Sequence, residues 1–232
     1  MVQKICILVL IFIGFQMKAQ SNFPEISSDQ KVIDTYSHSE IPFSSGIGNK
    51  SITKAKFFKH SNKIKEYATI KTVVVNTNSE IEEAKMKLHF YKVNLDGSPG
   101  NEITNSIIFS CKKGRNDNAI DVTSEEISIP TNGIFIGLEW LITDENSYSV
   151  DQTILEKNVV TQSVVEGKTS EKVLKYAPSI GVIPLRKNNI WELKEGKWVS
   201  SNKDKKKYIL GSNSNPFYNK YYGMAVSLIV TK

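Results

Sequence analysis

From Ile52 onward, apolar and polar residues alternate in short runs with a period of two, and Gly, Pro and Asn clusters separate the runs. Ile52 to Phe58 is short and mixed, Ser61-Asn62 offers a turn, and Tyr67 to Val75 (YATIKTVVV) is β-branched and long enough to cross a sheet. Ala84, Met86, Leu88 and Phe90 alternate with Lys85, Lys87 and His89, which predicts a strand with one core face and one wet face. Asn94-Leu95-Asp96-Gly97-Ser98-Pro99-Gly100 then turns the chain, with Asp-Gly and Pro-Gly in succession. Ile103 to Cys111 reads as the next strand, Lys112 to Asn118 as a polar hairpin or loop, and Ile120 to Ile129 as an extended return. After Pro130-Thr131-Asn132-Gly133, residues Ile134, Ile136, Leu138, Trp140 and Ile142 take one face, and Phe135, Gly137, Glu139 and Leu141 the other. A strand apolar on both faces belongs in the middle of a sheet.

Residues 143–177 are polar and show no sustained apolar stripe of helical period, so they read as an inserted hairpin or edge strand with mobile flanks. Ile180 to Leu185 resumes the β pattern, with Pro184 marking an edge or a strand end. Trp191 and Trp198 flank Lys194-Glu195-Gly196-Lys197, a natural hairpin turn. Tyr222 to Val230 closes the chain, with Tyr222, Met224, Val226, Leu228 and Val230 on one face. About eight to ten strands and no convincing helix predict an all-β fold: a two-sheet antiparallel sandwich, jelly-roll-like. Neither an internal repeat nor a strong linker divides it.

Phe57-Phe58, Leu88-His89-Phe90-Tyr91, Asp96 to Glu102 (DGSPGNE), Ile129-Pro130 and Gly133 to Trp140 (GIFIGLEW) together resemble uncharacterised exported β-sandwich proteins of Bacteroidetes. In some relatives this module follows a small carboxypeptidase-regulatory-like domain, for which no room exists before Ile52. The resemblance covers under half the chain. It implies the fold and an envelope or secreted location, and it brings no site residues with it.

The first residues add export to this picture. Lys4 provides a positive start, Ile5 to Phe15 (ICILVLIFIGF) an apolar run of about eleven residues, and Met17-Lys18-Ala19 a small residue at the expected cleavage point. That run is too short for a permanent span, and Gln20-Ser21 after it rules out a lipid-bearing cysteine. The expected organisation is a signal peptide at 1–19, a partly ordered lead-in at 20–50 rich in Ser, Asn, Gly and Pro, and a single β-sandwich domain at 51–232. The mature chain has no transmembrane anchor, and its place is the periplasm, the cell surface or the medium.

Charge and cysteine count narrow the chemistry. The chain holds 30 basic and 24 acidic residues, a net of +6, and losing Lys4 and Lys18 leaves +4, ordinary solubility charge. The one basic run, Lys203 to Lys207, reads as a solvated turn; it lacks the spread and the stacking aromatics of a nucleic-acid surface. Cys111 survives maturation alone and reads as buried, without an activating neighbour.

Few residues carry candidate chemistry. His38, His60 and His89 are far apart, without metal-ligand spacing, and read as solvated. Asn116-Asp117-Asn118 and Asp121 crowd oxygens as a Ca²⁺ site would, but not at the helix-loop-helix spacing, so no metal or cofactor is assigned. Glu139 interrupts an apolar strand and needs a partner or water; paired with Asp117, Asp121 or Asp144 it would make the acid pair of a glycan hydrolase. From Asn188 to Tyr222, the rings of Trp191, Trp198, Phe217, Tyr218, Tyr221 and Tyr222 are interleaved with Asn188, Asn189, Asn213, Asn215 and Asn219, a composition suited to stacking on sugars. No catalytic residue is assigned, and the candidate ligand-binding residues are Trp191, Trp198, Tyr218, Tyr221 and Glu139. The expected function is a non-catalytic exported module that binds glycan or envelope protein, or is structural, with a glycan-active hydrolase as the alternative. Expressed with an intact export system, the soluble product should begin within a residue or two of Gln20, as read by intact mass; a soluble product retaining residues 1–19 would contradict this reading.

Overall fold

The computed structural model describes residues 23–47, 50–60, 69–160, 163–201 and 216–232, with the side chains of 47 and 152–171 outside the description. The expected leader at 1–19, the turns at Gly48-Asn49 and Ser61-Asn62, and the basic run at Lys203 to Lys207 lie outside the described residues. The strands are β1 (Gln30–Ile33), β2 (Phe43–Ile47), β3 (Thr53–Phe58), β4 (Thr69–Ser79), β5 (Ala84–Val93), β6 (Pro99–Glu102), β7 (Ile107–Cys111), β8 (Gly114–Asp121), β9 (Ile134–Trp140), β10 (Ser147–Val160), β11 (Ser163–Leu185), β12 (Ile190–Lys194), β13 (Lys197–Ser200), β14 (Tyr221–Met224) and β15 (Val226–Thr231). Short 3-10 turns occur at His38–Glu40, Thr123–Glu125 and Asp144–Asn146.

The strands form two antiparallel sheets, one of which curls into a half-barrel. Sheet I has eight strands in the order β1-β15-β4-β11-β10, with β8 beside β4 and with β2 and β14 beside β11. Sheet II has seven, β13-β12-β3-β9-β5-β6, with β7 also beside β5. The alternating patterns place one face of each sheet in a shared core: Val73 and Val75 from β4, Leu228 and Val230 from β15, Met86, Leu88 and Phe90 from β5, and Ile134, Ile136, Leu138 and Trp140 from β9. Each such side chain removes roughly 1.5–3 kcal/mol worth of apolar surface from water. Cys111 and Phe109 of β7 join this core.

The chain is cut into more strands than the apolar pattern predicts, and the additions are short or polar. The Lys112 to Asn118 stretch is not a loop: β8 begins at Gly114 and pairs with β4 as far as Thr72↔Asp121. Its polar side chains are accommodated because Asp117 finds partners within the fold. Nor is 20–50 a mere lead-in, since β1 pairs with β15 and β2 with β11. These strands complete sheet I through backbone hydrogen bonds, which leave little trace in side-chain periodicity. The insertion at 143–177 does form a hairpin, paired from Ser147↔Tyr176 to Val160↔Ser163. The final strand is interrupted at Ala225, whose N–H donates to the Gly181 carbonyl and whose carbonyl accepts from Asn76 N–H. The turn between β12 and β13 is as expected, with Glu195 (φ 51°) and Gly196 (φ 76°) both left-handed, as a two-residue hairpin turn requires.

Leu138 is fully buried between neighbours on both sheets. Leu138→Ala should therefore cost about 2–5 kcal/mol in denaturant unfolding, from lost transfer energy and the cavity left behind. A loss below about 0.5 kcal/mol would place that face of β9 outside the core.

Candidate functional site on the outer face of sheet II

The register of sheet II lays its outward side chains out in rows. One row reads Ser200, Trp191, Ala55, Gly137, His89 across β13, β12, β3, β9 and β5. On one side of it lies the row Trp198, Leu193, Thr53, Glu139, Lys87, and on the other the row Phe57, Phe135, Tyr91, Glu102. The middle of the face is low, because Ala55 and Gly137 stand where larger side chains would project. A Cβ on Gly137 would lie 2.5 Å from Tyr91 Cε2 and 3.1 Å from His89 Cβ, so the glycine is what lets those rings lie across the sheet.

Over this floor the aromatic residues pack into a second, smaller core of Ala55, Tyr91 and Phe135, flanked by Phe57, Val93, Trp191 and Trp198. Tyr91 and Trp198 meet edge to face with ring centroids 5.2 Å apart, although their strands are four places apart in the sheet. Flat strands so placed stand about 19 Å apart, so both rings lean inward to meet. His89 stacks on Tyr91 (5.6 Å, 11° between planes) and Phe135 meets Trp191 edge-on (6.5 Å). Both tryptophans are therefore half-buried members of a packed cluster.

The polar side of the face is built around His89. Contrary to the reading of a solvated histidine, His89 is 7% exposed, with Nδ1 2.6 Å from Glu102 Oε1 and Nε2 2.9 Å from Glu139 Oε2. A neutral imidazole has one N–H and can donate to only one of these carboxylates; both bonds need a proton on each nitrogen. Lys87 Nζ lies 3.7 Å from Glu139 Oε2. Burial, together with the Glu102 and Glu139 charges and a hydrogen bond to Glu102, raises the Tyr91 phenol above its ordinary range and keeps it neutral.

The structure thus pairs Glu139 with a carboxylate other than those expected. Asp117 and Asp121 sit on β8 in sheet I, and Asp144 in the turn after β9. Through His89 the partner of Glu139 is Glu102, which the sequence reading did not single out as a site residue; its register opposite Tyr91 was the missing signal. Trp191, Trp198 and Glu139 share the outer face of sheet II. Tyr218, exposed, lies just before β14 in sheet I, and Tyr221, half-buried, is its first residue. Asn213 and Asn215 lie outside the described residues.

His38 is not a simple solvated group either. Its Nε2 lies 2.6 Å from Asp117 Oδ2, and Asp117 Oδ1 also accepts from Tyr36 Oη (3.0 Å) and Asn76 Nδ2 (2.8 Å). This cluster pins the segment between β1 and β2 to sheet I. The neighbouring oxygens do not converge: Asp121 accepts from Thr123 N–H, while the Asn116 and Asn118 amides donate to nearby carbonyls. Among the described residues no group of three or more His, Cys, Asp or Glu could hold a metal ion. No helix among them is long and apolar enough to cross a membrane.

No family model and no curated protein matches the chain. Solved structures that resemble it include the cysteine protease and lectin-like domains of Cwp84, a surface layer associated protein of Clostridium difficile, at TM-score 0.46 and 14% identity. Another is the clostridial cysteine protease Cwp84 after propeptide cleavage, at 0.48 and 15%. Each alignment covers 90% of this chain but 37% and 42% of the respective neighbour, so the chain spans about two-fifths of their length. Neither likeness carries a function over to this chain.

Cys111 is fully buried, and burial pushes its thiol up to about 12 against a weaker opposing hydrogen bond to Thr77. At pH 8 the thiolate that reacts is therefore scarce in the folded protein. In protein lacking residues 1–19, where Cys111 is the single thiol, a disulfide-exchange reagent at pH 8 should label the denatured chain promptly and spare the native one. Prompt labelling of the native protein would contradict this burial.

Proposed function

We propose that this chain is a non-catalytic binding module, exported to the cell envelope or beyond, that recognises a neutral glycan on the outer face of sheet II. The observation that carries the reading is the pair of half-buried tryptophans, Trp191 and Trp198, beside the Glu102–His89–Glu139 line. The flat face of an aromatic ring suits the C–H face of a pyranose. Next to them the 41%-exposed Glu102 side chain offers a fixed acceptor for sugar hydroxyls. Export and kinship with Bacteroidetes envelope proteins rest on the leader at 1–19 and the motifs from Phe57 to Trp140.

The same geometry argues against the hydrolase. A glycosidase needs its two carboxylates free on either side of a scissile bond, with room for that bond or a water between them. Here the imidazole of His89 fills that space and engages both acids. Carboxylates held in this way orient and accept; they are not free to pass a proton to a leaving group.

Screening against neutral oligosaccharides tests the proposal. A bound glycan should lose at least tenfold in affinity with Trp198→Ala and with Glu102→Gln, each variant first shown to be folded, and should release no reducing ends. Wild-type affinity in the folded Trp198 variant would reject the site, and released reducing ends would restore the hydrolase.

A further inference from the structure

A second recess, chemically unlike the first, opens between the two sheets. It has a volume of about 150 Å³ and lies where β2, β11 and β14 of sheet I face β3, β9 and β12 of sheet II. Its walls are mainly apolar, with Trp140, Ile180, Val182 and Met224 prominent among them, and Phe43 and Tyr222 also line it. The indole N–H of Trp140 is already satisfied by the Pro178 carbonyl (2.8 Å), so that ring presents only its face to the recess.

Into this apolar space the chain sends a cation. Alternation along β3 turns Thr53, Ala55 and Phe57 outward, and Lys54, Lys56 and Phe58 towards the other sheet. The two lysines meet different fates. Lys56, fully buried, donates to the carbonyls of Val226 (2.7 Å) and Met224 (3.3 Å) and pairs with Asp34 (3.4 Å), so each of its three N–H groups has an acceptor. For Lys54, among the described residues, no acceptor lies within hydrogen-bond distance of Nζ, which stands 5.9 Å from the centroid of the Trp140 ring. Glu192 is its cross-strand neighbour on β12, but that carboxylate pairs with Lys194 Nζ at 3.3 Å. Among these described side chains, two lysines face one carboxylate.

Lys54 is half-buried, and the Trp140 ring face and the more distant Glu192 charge only partly offset the hydration its ammonium loses in an apolar recess without a hydrogen-bond acceptor. Burial accordingly pulls the Lys54 ammonium below the usual lysine range, with Glu192 opposing and Lys194 assisting. An occupant carrying one negative charge on an apolar body would supply both the acceptor and the contacts. The recess matches in size a cavity that holds a single benzene ring. We propose that it binds a small organic monocarboxylate, aromatic or short-chain aliphatic. The carboxylate would sit on Lys54, with the ring or chain among Trp140, Ile180, Val182 and Met224. A flat Trp face beside the ammonium also suits an aromatic ring, which would stack on the indole while its acid group reaches the lysine. This site is independent of the glycan face, which is on the opposite side of sheet II.

The test titrates benzoate and hexanoate into the full chain, with benzamide and hexanamide as neutral counterparts and benzylamine as the charge-reversed one. Binding is followed by calorimetry and by tryptophan fluorescence, because Trp140 lines the recess. At least one carboxylate should bind saturably, its amide at least tenfold more weakly, and benzylamine not at all. Lys54→Met should lower carboxylate affinity at least tenfold, and Lys54→Arg should keep it within about threefold. Absence of saturable binding by either carboxylate, or equal binding of acid and amide by the unmodified protein, would overturn the proposal without relying on any variant. Wild-type affinity in folded Lys54→Met would overturn it as well.

Discussion

Burying both faces of β9 is the requirement from which most of this architecture follows. One face carries Ile134, Ile136, Leu138 and Trp140, and the other Phe135, Gly137 and Glu139. The first face is covered in the ordinary way, by packing on the opposite sheet through β4 and β15. Among the described residues no third layer covers the second. Sheet II covers it from within, by leaning Tyr91 and Trp198 towards each other across the low floor of Ala55 and Gly137. The aromatic cluster is thus assembled from β3, β5, β9, β12 and β13 of the one sheet.

That solution also sets the chemistry of the outer face. With Gly137 leaving space, His89 lies flat against Tyr91 and reaches a carboxylate with each nitrogen. Glu139 comes from the same row as Lys87, and Glu102 from the β6 edge opposite Tyr91. Charged groups held so close to a packed aromatic patch have little rotamer freedom left to lose on binding, a benefit to recognition from a rigid scaffold.

Charged groups inside the sandwich follow a related logic. Asp117 is 1% exposed at its side chain yet engaged by His38, Tyr36 and Asn76, and Lys56 is fully buried yet engaged by two carbonyls and Asp34. Both clusters draw on the chain around β1, so the opening of the described chain is fastened to the sandwich by electrostatic as well as backbone contacts. Breaking a buried group of this sort from its partners costs several kcal/mol, more than most single surface contacts contribute. Lys54, two residues from Lys56 and on the same face, lacks such a set among the described residues, and that contrast makes its recess chemically distinct.

Side-chain alternation was enough to place β5, β9 and the core part of β15, because each strand has an apolar face whose burial is its own driving force. It was also enough to assign the all-β class, the β12–β13 hairpin from its Glu-Gly turn, and the burial of Cys111. It missed β1, β2 and β8, whose places are set by backbone hydrogen bonds to strands distant in sequence and, for β8, by partners for Asp117. Glu139 stood out in sequence as a carboxylate needing a partner, but the identity of that partner was hidden. His89, Glu102 and Glu139 are separated by 13 and 50 positions along the chain from the histidine, and only antiparallel register brings them to one imidazole. Local sequence determines which face of a strand is apolar; which faces meet, and therefore which charges must neutralise one another, is a non-local property that the tertiary structure alone decides.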